Sequence, residues 1–232
     1  MHIKNKKNII YIVLIIAITS LVAYFYLSDF YKPDEDNLDK IYTAEDFPDA
    51  LKTTNEEILQ ASLEDLNNQY QDLRDSQYIY LSWINVGILK KRLGDKLGAE
   101  KAWLNAIDYN SDRALAYGNL ADLYLFSLQK YDKAEEHYLK ALEIDPNYLS
   151  YYIGLVSLYR YNMTEKANLI EGIMTNGAEI NPAEAVNYYM YLANYFNEGP
   201  DNKGGNDKEK AIYYTQETLK INPELKDQLP NL

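Results

Sequence analysis

The sequence predicts an all-α chain in which one apolar helix able to cross a membrane precedes a stack of about four helix pairs. Three observations carry that expectation. Residues 9–27, IIYIVLIIAITSLVAYFYL, are 19 residues without a charge. Downstream, small and aromatic side chains recur three or four apart in stripes, as in YGNLADLYLFSLQKYDKAEEHYLKALEIDPNY from Tyr117 to Tyr148, the spacing of one helix face. A hydrophobic content of 47% supplies a core, and 24 Tyr favour thin, two-layered architectures, because a tyrosine ring packs while its hydroxyl stays wet.

Residues 1–8 read as a short basic tail containing Lys4, Lys6 and Lys7. At about 1.5 Å per residue the run 9–27 spans roughly 28 Å, close to the thickness of a hydrocarbon core. It is longer than the apolar part of a cleaved signal peptide, and Tyr24, Phe25 and Tyr26 form an interfacial belt where a small-residue cleavage site would stand. A transmembrane helix is therefore expected, with the lipid bilayer as its partner. Three Lys precede it, whereas Asp29, Asp34, Glu35, Asp36 and Asp39 follow, so the N-terminus is expected in the cytoplasm and the bulk of the chain in the periplasm or outside the cell. The Ile, Asn, Lys and Tyr-rich composition fits an AT-rich bacterial genome, and in a bacterium that location is the periplasm or the outer face of the cell envelope.

Residues 28–54 are acidic and turn-rich, with Pro33 and Pro48, and read as a spacer containing at most a short helix. In residues 55–76, Leu59, Leu63, Leu66, Tyr70 and Leu73 fall at alternating spacings of four and three. Such a seam suits either a helix capping the first pair or a dimerisation helix.

The pairs follow over 80–223. The first has Trp83, Val86 and Gly87, a turn at Leu93-Gly94-Asp95, then Ala99, Trp103 and Ala106, with Ser111 just beyond. The second has Tyr117, Leu120, Ala121 and Tyr124, then Ala134, Tyr138 and Ala141, then Pro146, and it begins 34 residues after the first. Small residues let two antiparallel helices approach while the aromatics fill the wedge beside them, and proline helps to end the second helix. In the third, Tyr152, Leu155, Val156 and Tyr159 precede a second helix, Glu165 to Ile180, about three residues longer than usual. The fourth has Tyr189, Leu192, Ala193 and Phe196, an enlarged turn from Asn197 to Lys210, then Ala211, Thr215, Thr218 and Pro223. Residues 224–232 read as a C-terminal cap or tail.

This pattern resembles the tetratricopeptide repeat, whose Trp, Leu-Gly, Tyr, Ala, Phe, Ala and Pro positions recur over about 34 residues. The resemblance implies an α-solenoid in which Trp83, Gly87, Ala99, Trp103, Ala106, Tyr117, Ala121, Tyr124, Ala134, Tyr138, Ala141 and Pro146 are core. It also implies a groove lined by the first helix of each pair, at repeat positions 2, 5, 9 and 12. Those positions are Leu81, Ile84, Ile88 and Lys91; Leu115, Gly118, Asp122 and Leu125; Ser150, Ile153, Ser157 and Arg160; and Asn187, Met190, Asn194 and Asn197. Such a surface, apolar at one end and amide-rich at the other, suits an extended peptide or a helix. Ile84 and Ile88 stand where a clamp for C-terminal carboxylates would need Lys and Asn, so that mode is disfavoured. Covering of Leu81, Ile84 and Ile88 by helix 55–76 is the competing reading.

Catalytic chemistry is not visible. With no Cys there is no thiolate nucleophile or Cys-ligated metal, and the two His, His2 and His137, are too few for a metal site. Nucleotide and hydrolase motifs are missing. The Asp201, Asn202, Asn206 and Asp207 cluster lacks the alternation of a calcium loop. Beyond Lys7 the remaining 20 Lys and Arg face 35 Asp and Glu, a balance that repels nucleic acid. The expectation is a non-enzymatic membrane-anchored scaffold binding other envelope proteins or peptides, without cofactor; the alternative is a self-assembling homo-oligomer using helix 55–76 or the groove.

Overall fold

A computed structural model describes residues 38–75, 78–198 and 204–230, and among these every regular element is helical. The expected membrane helix at 9–27, the tail before it and the spacer as far as residue 37 lie outside the described residues. No described helix is long and apolar enough to cross a membrane. Chain contacts divide the protein into two units, one ending at Asn105 and one beginning at Ala106.

The first unit contains α1 (Pro48–Thr53), α2 (Glu56–Arg74), α3 (Ile79–Arg92) and most of α4 (Lys96–Tyr109). Asn55 caps α2 by accepting a hydrogen bond from Glu57 N at 2.8 Å. The seam residues Leu59, Leu63, Leu66, Tyr70 and Leu73 are buried with Val86, Leu89 and Leu93 of α3 and Ala102 of α4. A dimerisation seam would leave those leucines available, and here they are spent inside one chain.

The described part of the expected spacer is likewise folded. Tyr42, Phe47 and Ala50 join the same buried cluster. Asn67 of α2 grips the Tyr42 backbone twice, accepting from its N–H at 2.7 Å and donating to its carbonyl at 3.0 Å. The Tyr42 hydroxyl donates to that of Tyr70 at 3.1 Å, and the Arg74 guanidinium donates to the Leu38 carbonyl. Two aromatic rings in an acidic stretch have apolar area to bury, and α2 supplies the surface.

The second unit runs through α5 (Ala114–Asp122), which continues into a π-helical turn, Leu123–Leu128, then α6 (Tyr131–Ile144), α7 (Leu149–Tyr161), α8 (Ile170–Ile180), α9 (Ala185–Asn197) and α10 (Lys208–Ile221). The long second helix expected over Glu165 to Ile180 is divided: Thr164–Leu169 is a 3₁₀ segment and only Ile170–Ile180 is α-helical. Its extra residues are taken up in the tighter turn. The enlarged turn after α9 returns through hydrogen bonds from Gly205 N to Tyr195 O and Asp207 N to Phe196 O, at 2.7 and 2.9 Å. Asp207, considered for calcium, instead caps α10 by accepting from Lys210 N. A 3₁₀ segment, Pro223–Gln228, packs on α10 and leads to the buried Leu229.

The π-helical turn has an arithmetic cause. From Gly87 to Ala99 is 12 residues, whereas from Ala121 to Ala134, the corresponding pair, is 13. One surplus residue must be absorbed if both helices are to keep their stripes inward. The first pair closes with Gly94 in the left-handed region, φ 86°, and a hydrogen bond from Asp95 N to Lys90 O. The second closes one residue wider, with Gln129 at φ 54° and Lys130 N donating to Tyr124 O at 2.9 Å. The wider coil turns Phe126 outward to 67% exposure.

Glycine sets the approach of neighbouring elements. A β-carbon on Gly87 would strike the Trp103 indole, and one on Gly154 of α7 would strike the Tyr138 ring of α6. Trp103 and Tyr138 are each 1% exposed, and the indole N–H donates to Ile84 O at 3.1 Å. Both rings are fixed knobs seated on bare backbone.

Candidate functional site

In the second unit the first helices α5, α7 and α9 adjoin through side chains. The Tyr151 ring of α7 fills the space over Gly118 of α5, and Tyr152 of α7 meets Tyr188 of α9 edge to face at 5.3 Å. The shared face carries the exposed Leu115, Ser150, Ile153 and Asn197 and the half-buried Asp122, Ser157, Asn187, Met190 and Asn194. Asn194 donates to Met190 O at 2.9 Å.

Three groove residues expected here are not accessible, the first being Gly118, buried beneath the Tyr151 ring. Leu125 is 5% and Arg160 7% exposed. The π-helical turn swings Leu125 inward. Arg160 lies over the rings of Tyr161 and Tyr195, at 4.9 and 5.6 Å, and pairs with Glu198. Its charge is neutralised inside the unit, as a buried guanidinium requires. In the first unit Leu81, Ile88 and Lys91 are exposed, while Ile84 is 2% exposed. Covering by α2 does not explain this set: α2 packs on the Val86, Leu89 and Leu93 side of α3, leaving Leu81 and Ile88 bare.

Asp122 is held from below. The Tyr138 hydroxyl donates to Asp122 Oδ1 at 2.5 Å, passing over Gly154 to do so. Burial, and then the adjacent carboxylate, push the Tyr138 phenol far above its ordinary pKa, so it remains a donor at any physiological pH. The sequence placed Tyr138 in the core but not its hydroxyl. The available signal was a Tyr where the repeat signature has Phe, together with a Gly in the facing helix.

Two further clasps tie neighbouring helices. Glu135 of α6 accepts from the Tyr159 hydroxyl of α7 and pairs with Lys166 Nζ at 2.5 Å. Glu171 of α8 accepts from the Tyr214 hydroxyl of α10 at 2.8 Å and pairs with Lys210 Nζ at 2.5 Å. Burial opposes ionisation of Glu135, but the hydrogen bonds from Lys166 and Tyr159 prevail and hold its carboxyl below the usual range. Burial pushes Tyr188 and Tyr191 of α9 up to about 12. Neither phenol titrates near neutrality.

His137 is half-buried between Tyr117 and Tyr124, with centroids at 6.1 and 5.1 Å, and its Nδ1 meets Lys133 O at 2.9 Å. It also lines a depression of about 490 Å³ with Tyr117, Glu136, Leu139, Lys140 and Glu143. Among the described residues no cluster of three or more His, Asp or Glu is placed to hold a metal ion.

Residues 114–148 match the family model described as tetratricopeptide repeat. No curated relative matches the chain. Among solved structures the chain is similar to one titled "Crystal structure of MamA", with a TM-score of 0.53 and 14% identity, over 70% of this chain and 89% of that one. That likeness is one of fold.

Proposed function

Since the chain belongs to the tetratricopeptide-repeat family, we propose that it is a protein-interaction scaffold, held at a membrane through residues 9–27 and presenting the α5, α7, α9 face to another envelope protein. The observation that supports this is chemical. The face offers apolar side chains, Leu115, Ile153 and Met190, among amides and hydroxyls, while Arg160 and Glu198 cancel within the unit. Apolar side chains interleaved with backbone-compatible hydrogen-bonding groups suit an extended or helical segment of another protein. Anchoring would add confinement: a weakly bound partner held at the same membrane meets the face at high effective concentration. The reading calls for no nucleophile, metal or cofactor.

The test is photocrosslinking of the full chain in its native membrane, with the photoreactive residue at Ile153 or Met190 and, as control, at Ile212 of α10, which is 43% exposed. A discrete protein adduct at the first two positions and not at the third is expected. Adducts equal at all three, or none, would refute the assignment of the face.

A further inference from the structure

Resting on that reading of the α5, α7, α9 face, we propose that its partner segment carries a single Lys or Arg among apolar residues, and that Asp122 is the counter-charge. Of the twelve first-helix positions on this face only Asp122 and Arg160 are ionic, and Arg160 is already matched by Glu198. That leaves one carboxylate and no opposing cation on the face. Asp122 is prepared for the role. Oδ1 is fixed by Tyr138, which is itself 1% exposed and seated against Gly154. The carboxylate is half-buried, and Oδ2 accepts no hydrogen bond among the described residues. A carboxylate with one oxygen pinned and the other unengaged is pre-oriented for an ammonium or guanidinium donor.

Asn119 adds a second point of contact. It precedes Asp122 by three residues, so both lie on one face of α5. Its Nδ2 is sealed from solvent and lacks an acceptor among the described residues. Turning that amide towards a peptide carbonyl would supply the missing hydrogen bond. A basic residue over Asp122 with its main chain over Asn119, and apolar neighbours against Leu115 and Ile153, uses every one of these groups. A C-terminal carboxylate or an acidic segment would meet Asp122 without a neutralising partner, an arrangement that rejects it. The chain's net charge of −12 works in the same direction, drawing basic segments in.

The experiment measures fluorescence anisotropy of short peptides, blocked at both ends, on the full-length protein in uncharged detergent micelles. One Leu and Ser frame carries Arg, Lys, citrulline or Glu at its centre; citrulline keeps the shape of Arg without its charge. The Arg and Lys peptides are expected to bind roughly three- to tenfold tighter than the citrulline peptide. That preference should shrink as salt rises and vanish in Asp122→Asn, whose side-chain oxygen still accepts from Tyr138. If Asp122→Asn does not fold, the salt series on the unmodified protein decides. Equal binding of the Arg and citrulline peptides overturns the charge pairing while leaving the face as a peptide site. A preference that survives Asp122→Asn, or tighter binding of the Glu peptide, overturns it too. Failure of every peptide to bind overturns both this inference and the reading beneath it.

Discussion

Replacing Gly154 by Ala distinguishes a packed repeat interface from a generic helical stack. Inside a helix Ala is favoured over Gly by about 1 kcal/mol, so propensity alone predicts stabilisation. The structure predicts the opposite. The new methyl would overlap Cε1, Cζ and the hydroxyl oxygen of Tyr138, a ring that is 1% exposed and tied to Asp122. Overpacking a rigid core costs about 1–3 kcal/mol, and a displaced hydrogen bond to a carboxylate about 1.5 kcal/mol more. Against the propensity gain, the net is a loss of about 2 kcal/mol, or roughly 4–8 °C in melting temperature for a chain of this size. Urea unfolding followed by far-UV circular dichroism should therefore show a lower midpoint at unchanged slope. In a Tyr138→Leu background, where the ring is gone, Gly154→Ala should become neutral or stabilising. A higher midpoint for Gly154→Ala in the otherwise native chain would refute the account of how α6 and α7 nest.

Four other outcomes follow. Gln129→Gly should raise the unfolding free energy by about 0.5–1 kcal/mol, read as a higher urea midpoint, because Gln129 occupies the left-handed region at φ 54° that glycine enters without side-chain conflict. Glu135 has a carboxyl pKa below the ordinary value, so its contribution is present above the unfolded-state pKa and is lost as pH falls through the folded value; Glu135→Gln should flatten that part of the acid limb of stability against pH, read by thermal melting. Leu66→Ala, at a position 0% exposed in the α2 cluster, should cost about 2–4 kcal/mol. Leu63→Glu with Leu66→Glu should unfold the first unit rather than dissociate an oligomer, distinguishable by circular dichroism beside light scattering.

The stripes were legible in the sequence because each records one apolar helix face, and a face must be covered by something. Ala99, Trp103, Ala121, Tyr124, Ala134, Tyr138 and Ala141 are all buried accordingly. What covers a face is a separate question that periodicity leaves open. Ile84 and Ile88 sit at equivalent-looking positions of α3, yet one is 2% and the other 40% exposed. Leu125 leaves the groove because the π-helical turn absorbs a surplus residue there, which the 13-residue interval from Ala121 to Ala134 announces. Arg160 turns inward to a partner remote in sequence, Glu198, 38 residues on, which periodicity does not reveal. The stretch from Leu38 to Thr54 looked like a spacer because acidic and turn-forming residues outnumber the two rings, Tyr42 and Phe47, that decide its fate. The Tyr138 and Asp122 contact could be anticipated only by pairing a tyrosine hydroxyl on one helix with a glycine on the next.

The claim that another protein sits on the α5, α7, α9 face is tested most directly by affinity purification from native membranes. The unmodified chain is compared with Ile153→Arg plus Met190→Arg, and with Ile212→Arg. The account predicts that all three melt alike and that only the double substitution on the first-helix face loses the co-purifying protein. Retention of that protein by the double variant, or its loss with Ile212→Arg alone, would contradict it.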